Sequence, residues 1–224
     1  MNNFSFNEKV AILSLASGIM FADDKANISE RSSFEKIQKN LDQAIPVSLL
    51  TVEEAIGKVS KFDKLTKLRI LLMIQSVAIT DSQFNQHERL MTNKIARELG
   101  ITFELPLESA EMVLGLLYKF AAIDGIVPEE EKRLLIQLFN ENEAAYNRVM
   151  ENSNSFNVED AVKQISEMKD FDKSLVGFYI QQIISADDRI DDEEASLIRN
   201  VFESTGIDAL CIPEKTGFWK RIFG

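Results

Sequence analysis

The chain has 224 residues and a mass of 25.4 kDa, room for one large domain or two of about 110 residues each. With 45% apolar residues and a mean hydropathy of -0.09, it can bury a core without covalent staples. Acids outnumber bases 36 to 25 and leave a net charge of -11, which disfavours binding to a phosphate backbone, so no nucleic-acid partner is expected. The lone Cys211 excludes an internal disulfide, and the lone His87 excludes multi-histidine zinc sites.

Met1–Lys9 shows no basic start and no small-residue cleavage site. The longest apolar runs, such as Ile70-Leu71-Leu72-Met73-Ile74, fall far short of the roughly 20 residues of a spanning helix. A cytoplasmic location is the expectation. Along the chain, Val10, Leu13, Ile19 and Phe21 recur at helical spacing and lead to Asp23. Leu72, Ile74, Val77 and Ile79 lead in the same way to Asp81, and Met112, Leu116, Leu117 and Phe120 to Asp124. Phe178, Ile180, Ile183 and Ile184 lead to Asp187. Each acid is followed by a second apolar-striped segment, with Ile37, Ile95, Leu138 and Val201 at one common position. Connecting helices are predicted over Val52–Lys61 and Val158–Met168, and Asn140–Ser155 reads as a long polar insert. Nothing alternates with period two. The expected fold is all-α, built from helix–acidic turn–helix units.

The chain repeats itself. Thr51–Ile56 matches Asn157–Val162 at an offset of 106, which also places Gln75 on Gln181, Asp81 on Asp187 and Leu99-Gly100-Ile101 on Thr205-Gly206-Ile207. The front halves match at an offset of 101, with Asp23 on Asp124 and Glu30 on Glu131. Two helical copies are therefore expected over 1–104 and 105–209, joined near Leu105-Pro106-Leu107, with an aromatic and basic tail over 210–224.

The four turns share Asp-x-x-φ-x-x-x-Glu: Asp23 to Glu30, Asp81 to Glu88, Asp124 to Glu131 and Asp187 to Glu194. Two readings stand for them. Asn27, Asn85 and Asp191 lie three residues before a Glu, the spacing of a capping box, while Pro128 cannot cap by its side chain. The Asp would then bond its own turn. Alternatively the carboxylates hold a hard divalent cation, Ca²⁺ or Mg²⁺, which takes six or more oxygens. The candidate ligands are Asp124, Glu131, Asp187, Asp188, Asp191 and Glu194. An EF-hand is excluded, because its twelve-residue frame and central Gly are missing.

Ala122-Ile123-Asp124-Gly125-Ile126-Val127-Pro128-Glu129-Glu130-Glu131 resembles the Ala-x-Asp-Gly-x-φ-x-x-x-Glu signature of the tellurite-resistance protein B (TerB-like) family, and Ala186–Glu194 resembles a second copy. The resemblance covers nearly the whole chain twice. It implies two tandem TerB-like all-helical domains, each with two turns related by a pseudo-twofold axis. It also implies a non-enzymatic adaptor or sensor of bacterial tellurite and chemical stress, with divalent-cation binding through acidic residues and assembly with protein partners. The sequence departs from the signature in the first copy: Asp24 and Ser82 replace Gly125, and His87 stands where Glu130 and Glu193 stand.

No residue is assigned a catalytic role. His87 reads as a solvated helix residue with no oriented partner, and Cys211 has no adjoining basic cluster to activate it. Paired carboxylates acting as acid and base, in a hydrolase, are a third and weaker alternative. The tail supplies a second: Phe218, Trp219, Lys220, Arg221 and Phe223 combine rings and cations as a peripheral membrane or partner contact does.

Overall fold

Ser5, Thr51 and Asn157 each sit in extended backbone just before an apolar-striped segment, and each opens a helix. The computed structural model describes residues 4–23, 26, 28–41, 50–78, 86–101, 107–122, 127, 129–138, 143–152, 155–184 and 200–207. Among them the regular structure is helical, with no strand. The helices are α1 (Phe6–Met20), α2 (Ile28–Asn40), α3 (Val52–Val59), α4 (Lys64–Ala78), α5 (Gln86–Glu98), α6 (Leu107–Ala121), α7 (Glu129–Leu138), α8 (Glu143–Asn152), α9 (Val158–Glu167) and α10 (Asp170–Ile184). Residues 200–205 are also helical. No helix among the described residues is long and apolar enough to cross a membrane.

Helix starts recur at the two sequence offsets. α1 and α6 begin 101 residues apart, as do α2 and α7; α3 and α9 begin 106 apart, as do α4 and α10. Gly100 and Gly206 both take left-handed backbone, with φ of 69° and 70°. At the first, Ile101 N–H donates to the Ala96 carbonyl and Gly100 N–H to the Arg97 carbonyl, both at 3.0 Å, the pattern that closes a helix through a glycine. Ile101 and Ile207 then turn inward and are buried.

The chain divides between Thr102 and Phe103 into two compact units. In the first, α1 packs on α3 and α4, while α2 and α5 each pack on both α1 and α4. Ile12, Leu13, Leu15 and Ile19 of α1 and Leu68, Leu71, Leu72 and Ile74 of α4 fill its centre. Phe21, expected on the apolar stripe, is instead 47% exposed, because it lies past the last turn of α1. In the second unit α6 packs on α10, α7 packs on both, and α9 packs on α6. Leu116, Leu117 and Phe120 of α6 and Leu175, Phe178 and Ile180 of α10 are its core. Shortening any of these to Ala would cost about 2–5 kcal/mol.

The polar insert of the second unit holds a helix, α8, which packs on α6 and α7. Its anchor is Tyr146, 2% exposed and edge-on to Tyr118 of α6 at 6.2 Å between ring centroids. Arg148 adds an exposed ion pair to Glu111 of α6 at 3.1 Å, a contact of little net worth in water. At the end of α8, Ser155 Oγ donates to the Asn152 carbonyl.

Candidate functional site

The acidic corners follow from where the leading helices stop. α1 ends at Met20; Phe21 N–H still donates to the Ser17 carbonyl and Ala22 N–H to that of Ile19, and Asp23 follows within the same turn. α2 then begins at Ile28, which puts Glu30 at its third residue. Glu88 holds the third position of α5 and Glu131 that of α7. Asp81, Asp124, Asp187, Asp188, Asp191 and Glu194 lie outside the described residues, as do Phe218, Trp219, Lys220, Arg221 and Phe223. Of the six candidate cation ligands, only Glu131 is therefore placed.

Burial separates these glutamates from ordinary caps. Glu8 accepts hydrogen bonds from the Ser5 N–H and hydroxyl, both at 2.7 Å, and Glu54 accepts from the Thr51 N–H at 2.9 Å and hydroxyl at 3.1 Å. Those bonds hold the Glu8 and Glu54 carboxyls below their usual range, and both carboxylates sit at the helix end where the dipole favours them. Neither is buried. Glu30, Glu88 and Glu131 occupy the same third position yet expose only 2%, 1% and 1% of their surface. A capping box gains nothing from burial, and an ionised carboxylate taken out of water is costly without charge-bearing or hydrogen-bonding company.

Around Glu131 the second unit brings up more oxygen. Tyr146 lies close enough to Glu131 and Glu129 to feel both charges, and burial first, then Tyr118 and these two glutamates, push its hydroxyl up to about 12. The Tyr146 Oη is buried with no hydrogen-bond partner among the described residues. Lys132 Nζ stands 6.0 Å from the centre of the same ring. A carboxylate is the donor type of a hard-cation site. No three His, Cys, Asp or Glu side chains converge as a metal-binding group among the described residues, so any such site draws on the corner acids outside them. His87 is exposed on the first turn of α5.

Two features escaped the sequence reading. The burial of the third-position glutamates has no signature of its own, because exposed and buried capping boxes are spelled alike. The distribution of charge, by contrast, needed only counting by copy. Residues 1–102 hold 13 Lys and Arg against 12 Asp and Glu, a net +1, while residues 103–209 hold 9 against 23, a net -14.

No protein-family model, no curated protein and no solved structure matches the chain.

Proposed function

We propose that the chain is a non-catalytic adaptor or sensor of the TerB-like kind, serving bacterial tellurite or chemical stress. In this reading its acidic corners bind a divalent cation, Ca²⁺ or Mg²⁺, and its helical surfaces assemble with protein partners. Glu131 would hold the ion with Asp124, Asp187, Asp188, Asp191 and Glu194. The bound cation would supply charge neutralisation, fixing corners that otherwise repel themselves. The observation that supports this is the burial of Glu30, Glu88 and Glu131 at one helical position in both copies. Burial repeated three times at one helical position supports a use of the carboxylate beyond an exposed cap.

The test is thermal melting of the full chain with calcium or magnesium chloride against sodium chloride at matched ionic strength. An ion bound at about 100 times its dissociation constant adds about 2.7 kcal/mol, a rise of about 5 °C or more for a chain of this size. Wild type should show that rise, and Glu131→Gln and Asp187→Asn should lose it. Equal melting of wild type in all three salts refutes the cation reading.

A further inference from the structure

The two units carry opposite charges at the same corner. Where α3 gives way to α4 the first unit presents Lys61, Asp63 and Lys64, the last opening α4; at the offset of 106 the second presents Glu167, which ends α9, Lys169, and Asp170, which opens α10. All three signs are inverted, and all six side chains are exposed. Over 52–69 the net charge is +2, with Lys58, Lys67 and Arg69 adding to the cations; over 158–175 it is -2.

The corners are also held in shape. In the first unit Asp63 accepts from the Thr66 N–H at 3.0 Å and from its hydroxyl at 2.6 Å, and Phe62 packs edge-on against Phe4 at 5.3 Å. In the second, Met168 N–H donates to the Ile165 carbonyl and Lys173 N–H to that of Lys169, both at 3.0 Å. Lys61, Lys64, Lys67, Glu167 and Lys169 enter no ion pair among the described residues. A further difference has the same sense. Glu53 on α3 is bridged by Lys94 of α5 at 3.0 Å, whereas its counterpart Glu159 finds Asn200 at the position equivalent to Lys94, and an amide cannot neutralise it.

We infer that the α3–α4 corner of one molecule docks on the α9–α10 corner of a second copy of the same chain, head to tail. Sign inversion at three matched positions is what self-complementarity requires and what an unrelated partner does not. The order plus, minus, plus against minus, plus, minus pairs correctly whether the two corners meet parallel or antiparallel. The matching backbone of the two units makes the corners alike in outline, so the contact is one of charge on similar surfaces. Such a contact is heterologous, leaving one free corner at each end, and it builds open chains or a ring. Exposed pairs are individually weak and are screened by salt, so the association is expected at high protein concentration and low ionic strength.

Sedimentation equilibrium of the full chain tests this. At about 20 mM NaCl, where screening extends over about 20 Å, the weight-average mass should rise with protein concentration to at least about 1.5 times the 25.4 kDa monomer. At about 500 mM it should return to the monomer. The double variants Lys61→Glu/Lys64→Glu and Glu167→Lys/Asp170→Lys should each stay monomeric, and an equimolar mixture of the two should associate again. Glu167→Lys alone, with helicity checked by circular dichroism, replaces the second double variant if that one does not fold. A wild type that is monomeric at low salt overturns the inference, and so does association that survives both charge reversals. Sedimentation of a monomeric chain with anionic phospholipid vesicles, lost in Lys61→Glu/Lys64→Glu, would assign the basic corner to a membrane surface and overturn it too.

Discussion

A glutamate at the third residue of a helix can stand at the protein surface or inside it, and this chain has both. Glu54 is exposed and Glu8 half-buried, while Glu30, Glu88 and Glu131 are inside. The two classes should answer mutation differently. Removing an exposed cap loses a local bond; removing a buried carboxylate leaves its neighbours short of a charge and a hydrogen-bonding group, at a cost of about 1–3 kcal/mol or more. Urea unfolding of Glu131→Ala should therefore show a clearly lower midpoint than wild type, with Glu8→Ala close to wild type and the slope unchanged in both. Tyr146 gives a second prediction at this scale. Its hydroxyl is raised to about 12 in the folded chain, against 10.0 for an unperturbed tyrosine. Above pH 10 the unfolded chain can ionise this group while the folded chain still holds the proton, so the unfolded state gains and stability falls between pH 10 and 12. Below pH 10 the group is neutral in both states and contributes no slope. Tyr146→Phe should flatten the alkaline loss of stability measured by denaturant titration at pH 9, 10 and 11.

At the level of elements, packing rests on glycines at three close approaches, one of them Gly177 of α10 against Ile207. A Cβ on Gly115 of α6 would overlap the Phe156 ring just before α9, and one on Gly18 of α1 would meet Val52 Cγ2 of α3 at 2.5 Å. Overpacking of this kind costs about 1–3 kcal/mol, so Gly115→Ala should lower the melting temperature by several degrees without loss of helicity at 25 °C. These helices were largely legible in the sequence. Apolar residues at helical spacing place α1, α4, α6 and α10, and the matching glycines at 100 and 206 mark the same helix end twice, because only glycine takes that backbone without strain. In three of the four hairpins the second helix was legible through Ile37, Ile95 and Val201, which are all buried. α8 was not, since Tyr146, Val149 and Met150 are too few to make an apolar stripe for a periodicity argument to find. The candidate site was legible only as a spacing of letters: the pattern puts a Glu at the third residue of α2, α5 and α7, but its burial depends on what packs over it, which the spacing does not encode.

For the whole molecule the net charge of -11 conceals two quite different halves. Residues 1–102 are close to neutral at +1, and residues 103–209 carry -14 on a compact unit of similar length. Like charges held together raise the free energy of the folded state more than that of the expanded one, and salt relieves the difference. At 0.01 M the screening length is about 30 Å, so the acids of the second unit repel across its full width; at 0.15 M it is about 8 Å and only near neighbours interact. The second unit should therefore gain stability as sodium chloride is raised through that range, and the first should change little. Amide hydrogen exchange of the intact chain reads the two separately: protection along α6, α9 and α10 is expected to rise with salt, and protection along α1, α3 and α4 to stay level. An equal response in both would mean that the surplus acids are already neutralised within the fold. The same comparison gives the baseline for any cation effect, since a divalent ion bound at the corners must protect the second unit beyond what sodium achieves at equal ionic strength.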